Sequence, residues 1–230
     1  MLDIRSLHKS YGSKTIVDNW SYCFTNGKIY GLIGRNGIGK TTILKCICGL
    51  LSPETAKIYT ERGDLSKEDY LNRDIVYVSD EAIYYHNLTV IEHFWLVCKV
   101  ENYTKEEAKE TIYFYVNKLH LNEYINYYPS ALSKGTLQRM MLVMAFLRKK
   151  TNLLLDEPFN GLDPIQIEEV IQICNIERKK KRCLIISSHD IESLAELCDE
   201  YLILTADGIK TFSGEIDRNV INQMIGDSYV

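Results

Sequence analysis

The residues best suited to chemistry form a glycine-rich stretch directly after the apolar run 29–33. The stretch fits the pattern Gly, any four residues, Gly-Lys-Thr, and it comprises Gly34, Arg35, Asn36, Gly37, Ile38, Gly39, Lys40, Thr41 and Thr42. Glycines let the backbone adopt positive φ, so successive amides can line a hollow for phosphate oxygens at a helix start. Lys40 would neutralise β- and γ-phosphates, Thr41 would ligate Mg²⁺, and Thr42 would bond the phosphates. The apolar run before it and the helical pattern after it leave a chance glycine-rich turn as the weaker alternative.

Two adjacent carboxylates, Asp156 and Glu157, follow the apolar triplet 153–155. Parallel sheets place their ligand sites at the carboxyl ends of strands, and successive strand residues point apart, so the two groups can take separate roles. We expect Asp156 to hold Mg²⁺ through water and Glu157 to orient or deprotonate a water that attacks the γ-phosphate. Without the glycine-rich stretch, an acidic strand end entering a turn would explain the pair equally well.

Strand and helix patterns alternate along much of the chain, which predicts an α/β fold. Strands are predicted over 2–7, 16–24, 29–33, 57–60, 75–78, 153–155, 184–186 and 201–204. The break at 25–28 is a hairpin signal, so the N-terminal portion is expected to be antiparallel. Helices are predicted from the glycine-rich stretch to Gly49, with Ser52-Pro53 stopping it, and from Asp163-Pro164 and Asp190.

Residues 88–149 interrupt this alternation with helical patterns. Thr104 and Glu107 form a capping box for one helix. Another is predicted over 133–149, with a core-facing stripe of Leu137, Met141 and Met144. We predict a single domain over 1–230, in which 1–87 and 150–230 form the α/β core and 88–149 an inserted helical subdomain.

Composition and charge exclude several classes of protein. The formal net charge of −4 argues against a nucleic-acid partner, because such proteins carry a basic excess or a basic face. The basic runs 149–150 and 179–182 each end a helical pattern, where a negative helix terminus explains them without a partner. Seven cysteines without Cys-x-x-Cys spacing favour free thiols in the cytosol. No run approaches the roughly 18 apolar residues of a membrane span, so we expect a soluble chain that is not exported.

Three further segments carry a family resemblance. The segment 132–139, Leu-Ser-Lys-Gly-Thr-Leu-Gln-Arg, resembles the Leu-Ser-Gly-Gly-Gln signature of ATP-binding-cassette (ABC) ATPases. Residues 160–164 look like the D-loop of that family, and His189, after the next strand, looks like its switch histidine. Tyr11 falls where the family stacks an aromatic ring on adenine. By resemblance over nearly its whole length, the sequence is identified as a member of this family.

The resemblance implies a P-loop NTPase core that binds and hydrolyses ATP with Mg²⁺. In the family, two cassettes sandwich two ATP molecules, so the ATP of a second ABC ATPase subunit would contact Ser133, Lys134 and Gly135. Asp163 would lie in the D-loop. His189 would sense the γ-phosphate, and Glu157, His189 and Lys40 would be the catalytic residues. The family also implies separate transmembrane permease subunits, which would hold the chain at the cytoplasmic face of the cell membrane.

Two positions depart from the family pattern. Asp80 occupies the place of the Q-loop glutamine; it is shorter and has no N–H donor, but its charge would bind Mg²⁺ more strongly. Alternatively, Asp80 only caps the turn after the strand. Lys134 replaces a signature glycine and adds a cation at a positive helix end. The resemblance also implies that 82–90 forms a groove for a short permease helix, with Tyr84-Tyr85 as anchors or as packing.

Two other functions are alternatives to that of an ABC transporter ATPase. A soluble cassette protein acting on ribosomes or DNA would carry two cassettes in one chain or a long coiled-coil insertion. The hypothesis of a P-loop kinase would explain residues 34–42, but it would not explain the signature segment, the carboxylate pair or His189. The short chain and Asp80 favour an exporter-type system by analogy. The resemblance implies that the membrane subunits choose the transported substrate.

Overall fold

The computed structural model describes residues 1–65, 74–216 and 221. The strands in these residues form two sheets. They are β1 (Leu2–Tyr11), β2 (Lys14–Phe24), β3 (Ile29–Ile33), β4 (Thr55–Thr60), β5 (Gly63–Asp64), β6 (Ile75–Val78), β7 (Asn152–Asp156), β8 (Cys183–Ser187), β9 (Glu200–Thr205) and β10 (Gly208–Phe212). Every predicted strand is present, and the short strands β5 and β10 are additional.

The six-stranded sheet has the order β10-β9-β3-β8-β7-β6 and is parallel except for β10. All residues of β3, β7 and β8 are buried, which explains their continuous apolar runs. Because these three strands are parallel neighbours, their carboxyl ends lie at one edge of the sheet. That edge therefore brings the glycine-rich loop, Asp156 and the segment before His189 together.

The four-stranded antiparallel sheet has the order β2-β1-β4-β5. The tight turn between Tyr11 and Lys14 makes the β1–β2 hairpin, as Gly12 adopts a positive φ of 56°. The predicted hairpin at 25–28 is wrong, since β2 and β3 lie in different sheets. Strand β3 is already paired with β8 on one side and β9 on the other, so no edge is left for β2.

The α-helices in the described part of the chain are α1 (Lys40–Cys48), α2 (Val90–Val100), α3 (Lys105–Lys118), α4 (Lys134–Leu147), α5 (Pro164–Lys179) and α6 (Ile191–Leu197). The capping box of Thr104 and Glu107 is confirmed at the start of α3. Helix α1 ends at Cys48 because Gly49 adopts the left-handed conformation, so the predicted stop at Ser52-Pro53 is not what ends it.

Apolar side chains fill both faces of the six-stranded sheet. One face and α1 pack against the antiparallel sheet, while α2 to α6 cover the other face. The predicted stripe on α4 is too narrow: Met141 is buried, but Leu137 and Met144 are only partly so. Helix α4 lies among α2, α3 and β6, and this enclosure buries more of its circumference than one stripe. The predicted division into a core and a subdomain at 88 and 149 stays a prediction.

Candidate functional site

The glycine-rich loop joins β3 to α1, and its backbone needs glycine. Gly37 and Gly39 have φ of 72° and 128°, values that other residues rarely adopt. A Cβ on Gly39 would also lie 2.3 Å from Ile16 Cγ2 of β2. Lys40 opens α1 and is buried, and its ammonium donates to Gly34 O at 2.8 Å. A backbone carbonyl of the loop thus binds the ammonium group of Lys40.

Lys40 is also placed close to the carboxylate pair. Its Nζ lies 3.9 Å from Glu157 Oε1. Burial lowers the pKa of Lys40, while the charges of Glu157 and Asp156 oppose that shift. The predicted phosphate ligand and the predicted catalytic carboxylate therefore face each other across one edge of the sheet.

Asp156 ends β7 and is buried, with a donor on each of its carboxylate oxygens. Tyr77 of β6 donates its hydroxyl to Oδ2 at 2.9 Å, and Ser187 of β8 donates its hydroxyl to Oδ1. These two hydrogen bonds, one to each oxygen, fix the orientation of the carboxylate. The sequence did not reveal these two partners, since they come from the strands on either side of β7.

Glu157 and His189 form a second pair at the same edge. Glu157 has a left-handed φ of 48°, a conformation that costs a non-glycine residue about 1–3 kcal/mol and often marks a functional site. Its amide donates to Ser187 O at 3.0 Å and Ser187 Oγ at 3.1 Å. Its Oε2 accepts the His189 amide at 3.3 Å and lies 2.7 Å from His189 Nδ1. The Glu157 carboxylate thus contacts His189 and also lies 3.9 Å from the Lys40 ammonium.

A cleft of about 400 Å³ opens between the glycine-rich loop and the antiparallel sheet. It is lined by Tyr11, Lys14, Ile16, Arg35, Asn36, Gly37, Gly39, Lys40, Thr41, Thr42, Asp80 and Glu157. Most residues predicted to bind nucleotide thus share one cavity. Gly34 and Ile38 do not line it, because Gly34 packs closely against Ile38 and Leu204. Sequence reasoning missed Lys14, whose ammonium donates to Gly37 O at 3.1 Å.

Tyr11 stands on the rim of this cleft at the end of β1, with 51% of its surface exposed. The Lys9 ammonium lies 5.3 Å from its ring centroid. An exposed aromatic ring beside a cavity can stack on a planar base. Adenine stacking by Tyr11 stays a prediction.

Asp80 also borders the cleft, and its Oδ1 accepts a hydrogen bond of 2.8 Å from Asn160 Nδ2. The bond joins the loop after β6 to the turn after β7. Asn160 was part of the predicted D-loop, but no role had been assigned to its side chain. The roles of Asp80 as a metal ligand or as a turn cap both stay predictions.

The signature residues lie apart from the cleft of their own chain. Ser133 caps α4 by accepting the Thr136 amide at 3.2 Å. A Cβ on Gly135 would lie 2.4 Å from Gly161 O, so the signature helix packs directly on the D-loop. The aliphatic part of the Lys134 side chain packs on Gly161, since a Cβ at position 161 would lie 3.2 Å from Lys134 Cγ. The signature and the D-loop therefore form one packed unit of this chain.

Asp163 of the D-loop caps α5. Its carboxylate accepts the Gln166 amide at 2.9 Å, and Pro164 holds the first helical position, as the sequence predicted. Like the signature residues, Asp163 does not line the nucleotide cleft. A residue that caps a helix in this way holds the turn before it, which here is the D-loop.

The donor set fits Mg²⁺ but not a metal held by protein alone. No group of three or more His, Cys, Asp or Glu that could hold a metal occurs in the described residues. Mg²⁺ typically keeps several waters and takes one or two protein ligands plus substrate phosphates. Thr41 beside the loop and Asp156 at the strand end are oxygen donors of this kind. These residues would hold the ion only together with a phosphate ligand.

The loop after Asp80 is held by a buried histidine. His93 of α2 is fully buried, and its Nε2 accepts the Tyr85 amide at 2.9 Å. The Tyr85 side chain is 63% exposed, whereas Tyr84 packs against the core. Of the two tyrosines offered as anchors or packing, Tyr84 therefore packs and Tyr85 faces outward.

The fold and the site together define a class of protein. A glycine-rich loop between a buried parallel strand and a helix, with a carboxylate pair on a nearby strand, is the P-loop nucleotide-binding arrangement. A sequence profile described as "ABC transporter" matches residues 17–160. The chain belongs to the ABC transporter family.

Individual relatives agree with this assignment over most of the chain. The ABC-type transporter ATP-binding protein EcsA of Bacillus subtilis is 27% identical, covering 89% of this chain and 83% of that protein. The lantibiotic transport ATP-binding protein SrtF of Streptococcus pyogenes is 34% identical, covering 86% and 84%. A solved structure of the ATP-binding subunit of an ABC transporter superposes with a TM-score of 0.86 at 25% identity, covering 98% of this chain and 93% of that one. The predicted family, α/β fold and ATP-binding role are confirmed.

None of the helices in the described residues is long and apolar enough to cross a membrane.

Proposed function

We propose that this chain hydrolyses MgATP within a dimer of cassettes and thereby drives a separate transmembrane permease. The observation that carries the proposal is the convergence of Lys40, Glu157 and His189 at one edge of the sheet: Lys40 Nζ lies 3.9 Å from Glu157 Oε1, and His189 Nδ1 lies 2.7 Å from Glu157 Oε2. Phosphoryl transfer needs little covalent chemistry from the protein, so positioned cations and a positioned base supply most of the catalysis.

Each residue has a separate task in this proposal. The loop amides and Lys40 bind the β- and γ-phosphates, and Lys40 exchanges its bond with Gly34 O for phosphate oxygens. Thr41 and Asp156 hold Mg²⁺, which supplies charge neutralisation when bound. Glu157 accepts a proton from the attacking water. His189, at 2.7 Å from Glu157, orients that carboxylate and contacts the γ-phosphate.

A second cassette subunit is proposed because the signature lies outside the chain's own cleft. Ser133 and the Gly135 amide stand at the start of α4, where backbone N–H groups and the helix dipole favour an anion. The residues that line the cleft include none of the signature. In a head-to-tail dimer, the α4 N-terminus of this chain would contact the ATP bound by the partner subunit. The α4 N-terminus of the partner subunit would contact the ATP bound by this chain.

The permease is proposed to contact the surface around the loop at 82–88. Exposed apolar side chains cluster in the segments that meet at the start of α2, namely Ile83 (72% exposed), Tyr85 (63%), Tyr127 (53%) and Tyr128 (52%). The Val90 amide donates to Tyr127 O at 3.0 Å, which links the two segments. Large aromatic groups in such a surface are typical anchors for a partner. This contact would hold the chain at the cytoplasmic face of the membrane.

The direction of transport is a further part of the proposal. One relative is named for lantibiotic transport and another, from Listeria monocytogenes, for carnitine transport; the chain covers 84% of the first but 59% of the second. We propose an exporter-type system, supported by Asp80 in place of glutamine. Transport assayed in membrane vesicles of both orientations tests the direction.

The proposal is tested by Lys40→Ala in the purified chain. Removing the ammonium should weaken ATP binding and abolish turnover, because the charge facing the β- and γ-phosphates is lost. Lys99→Ala, an exposed lysine of α2, is the matched control and should change neither. An unchanged ATP dissociation constant by calorimetry in Lys40→Ala would contradict the nucleotide-binding role of 34–42.

A further inference from the structure

The two basic runs of the sequence meet at the edge of the sheet opposite the nucleotide cleft. Residues 149–150 precede β7, residues 179–182 precede β8, and Asn152 pairs with Cys183 in parallel register. The amino ends of both strands therefore lie side by side. Together with α3 they enclose a second cleft of about 370 Å³, here called the basic cleft, lined by Tyr103, Thr111, Tyr115, Phe146, Arg148, Lys149, Lys150, Thr151, Glu177, Lys180, Lys181 and Arg182.

The floor of the basic cleft is a hydrogen-bonded network around the buried Glu177. Glu177 is fully buried, and its Oε2 accepts from Arg182 Nη1 at 2.7 Å. Its Oε1 accepts from Lys180 Nζ at 2.8 Å and from the Tyr115 hydroxyl at 2.7 Å. Two cations therefore already neutralise this one carboxylate, and the floor offers no negative charge for other lysines.

Helix capping does not account for the remaining lysines either. Other donors reach the carbonyls at the end of α4: Arg182 donates to Phe146 O at 3.2 Å, Arg148 O at 2.8 Å and Lys150 O at 2.8 Å, and the Tyr103 hydroxyl donates to Leu147 O at 3.0 Å. At the end of α5, the amides of Lys180 and Lys181 donate to backbone carbonyls at 3.1 and 2.9 Å. None of these bonds to the last carbonyls of α4 and α5 uses the side chain of Lys149, Lys150 or Lys181.

The cleft consequently carries a surplus of positive charge. Six cationic residues line it, whereas Glu177 is the single carboxylate among the lining residues. The neighbouring Glu101 forms an ion pair with Arg148. Within the parts of the chain that the structure describes, no ion pair is found for Lys149, Lys150 or Lys181. The Lys149 ammonium instead lies 3.8 Å from the Tyr103 ring centroid. In a chain with a net charge of −4, this concentration of cations repels itself unless an anion is bound.

We propose that the basic cleft binds a phosphate-bearing anion. Lysine ammonium groups on flexible stems bind phosphate as point charges, and a multivalent anion can contact several of them at once. The walls, Tyr103 and Arg182 among them, are fixed by hydrogen bonds, so the ligand meets a formed hollow. A soluble polyphosphate and a phospholipid headgroup share this chemistry. The site lies at the opposite edge of the sheet from Lys40 and stands independently of ATP hydrolysis.

The test uses the full chain carrying Lys40→Ala, which silences the nucleotide loop. Inorganic pyrophosphate is titrated by calorimetry into this protein and into the same protein with Lys149→Glu and Lys150→Glu. The matched control carries Lys57→Glu and Lys118→Glu, an equal change of charge at exposed lysines elsewhere. Sedimentation with vesicles of equal parts phosphatidylcholine and phosphatidylglycerol forms the second arm. Lys149→Gln with Lys150→Gln replaces the charge reversal if that variant melts at a lower temperature.

Charge reversal in the cleft should weaken binding of pyrophosphate, vesicles or both by about tenfold or more, while the control stays within about twofold. Loss confined to pyrophosphate identifies a soluble anion, and loss confined to vesicles identifies a lipid headgroup. Equal weakening in the control would show general electrostatics, and the absence of binding in both arms would show no site. Either result overturns the proposal.

Discussion

Asn160 Nδ2 donates a hydrogen bond of 2.8 Å to Asp80 Oδ1. The carbonyl of the next residue, Gly161, lies so close to Gly135 that a Cβ at position 135 would be 2.4 Å from its oxygen. Position 135 therefore has no room for a side chain. A continuous physical connection thus runs from the edge of the nucleotide cleft, through the D-loop, to the signature helix. Such a connection becomes evidence of coupling only when both ends are perturbed together.

Asp80→Ala should lose stimulation of ATP turnover by the permease while keeping the basal rate. ATP affinity should stay within a few-fold, because the loop amides, Lys40 and Thr41 carry most of the binding. Asn160→Ala should lose part of the stimulation, and the double variant should resemble Asp80→Ala, since neighbouring residues in one contact are not additive. Turnover of the reconstituted complex measures all three.

Asp80→Gln restores the family residue and should retain stimulation, so it is the control for a general loss of structure. If Asp80 only caps its turn, Asp80→Ala will instead lower the melting temperature and leave stimulation intact. Stimulated turnover that survives in Asp80→Ala would remove the residue from coupling.

Glu157→Gln should bind MgATP normally but hydrolyse it about 10²-fold or more slowly. The amide keeps the shape and the contact to His189 but cannot accept a proton from water. ATP should then stay trapped between two subunits, so size-exclusion chromatography with ATP should show a dimer. Glu169→Gln, a partly buried glutamate of α5, should behave like the unmodified chain. Normal turnover in Glu157→Gln would exclude Glu157 as the base.

Features that depend on neighbours along the chain could be predicted from the sequence. The glycine-rich loop, the capping box of Thr104 and Glu107, and the apolar strands are of this kind. Tyr77 and Ser187, which orient Asp156, could not be found, because their positions depend on strand order and register. The turn at 25–28 has residues typical of a hairpin, but β3 pairs with β8 and β9 and therefore lies in a different sheet from β2. The meeting of the two basic runs likewise follows only once β7 and β8 are known to be parallel neighbours.

Cys23 should be the one fast-reacting thiol of the native chain. It is exposed, whereas burial raises the pKa of Cys46 and Cys98 to about 11 and that of Cys183 to about 12. At pH 8 a pKa near 11 leaves roughly one thiolate in a thousand, and the thiolate is the reactive form. Burial also raises the pKa of Cys174 and Cys198. Titration with a chromogenic disulfide should show one rapid equivalent, absent in Cys23→Ser, and seven after denaturation.

Tyr11→Ala should weaken binding of ATP and GTP alike by roughly tenfold, because stacking reads the π-face of a base more than its hydrogen-bonding edge. The ring stands half exposed on the rim of the cleft, so truncation should not disturb the core. Tyr11→Phe keeps the ring and should stay within about twofold. Tyr113→Ala, an exposed tyrosine of α3, should change neither affinity. Fluorescent nucleotide titration gives the affinity of each protein for ATP and for GTP, and a large loss in Tyr11→Phe would assign the contact to the hydroxyl and refute stacking.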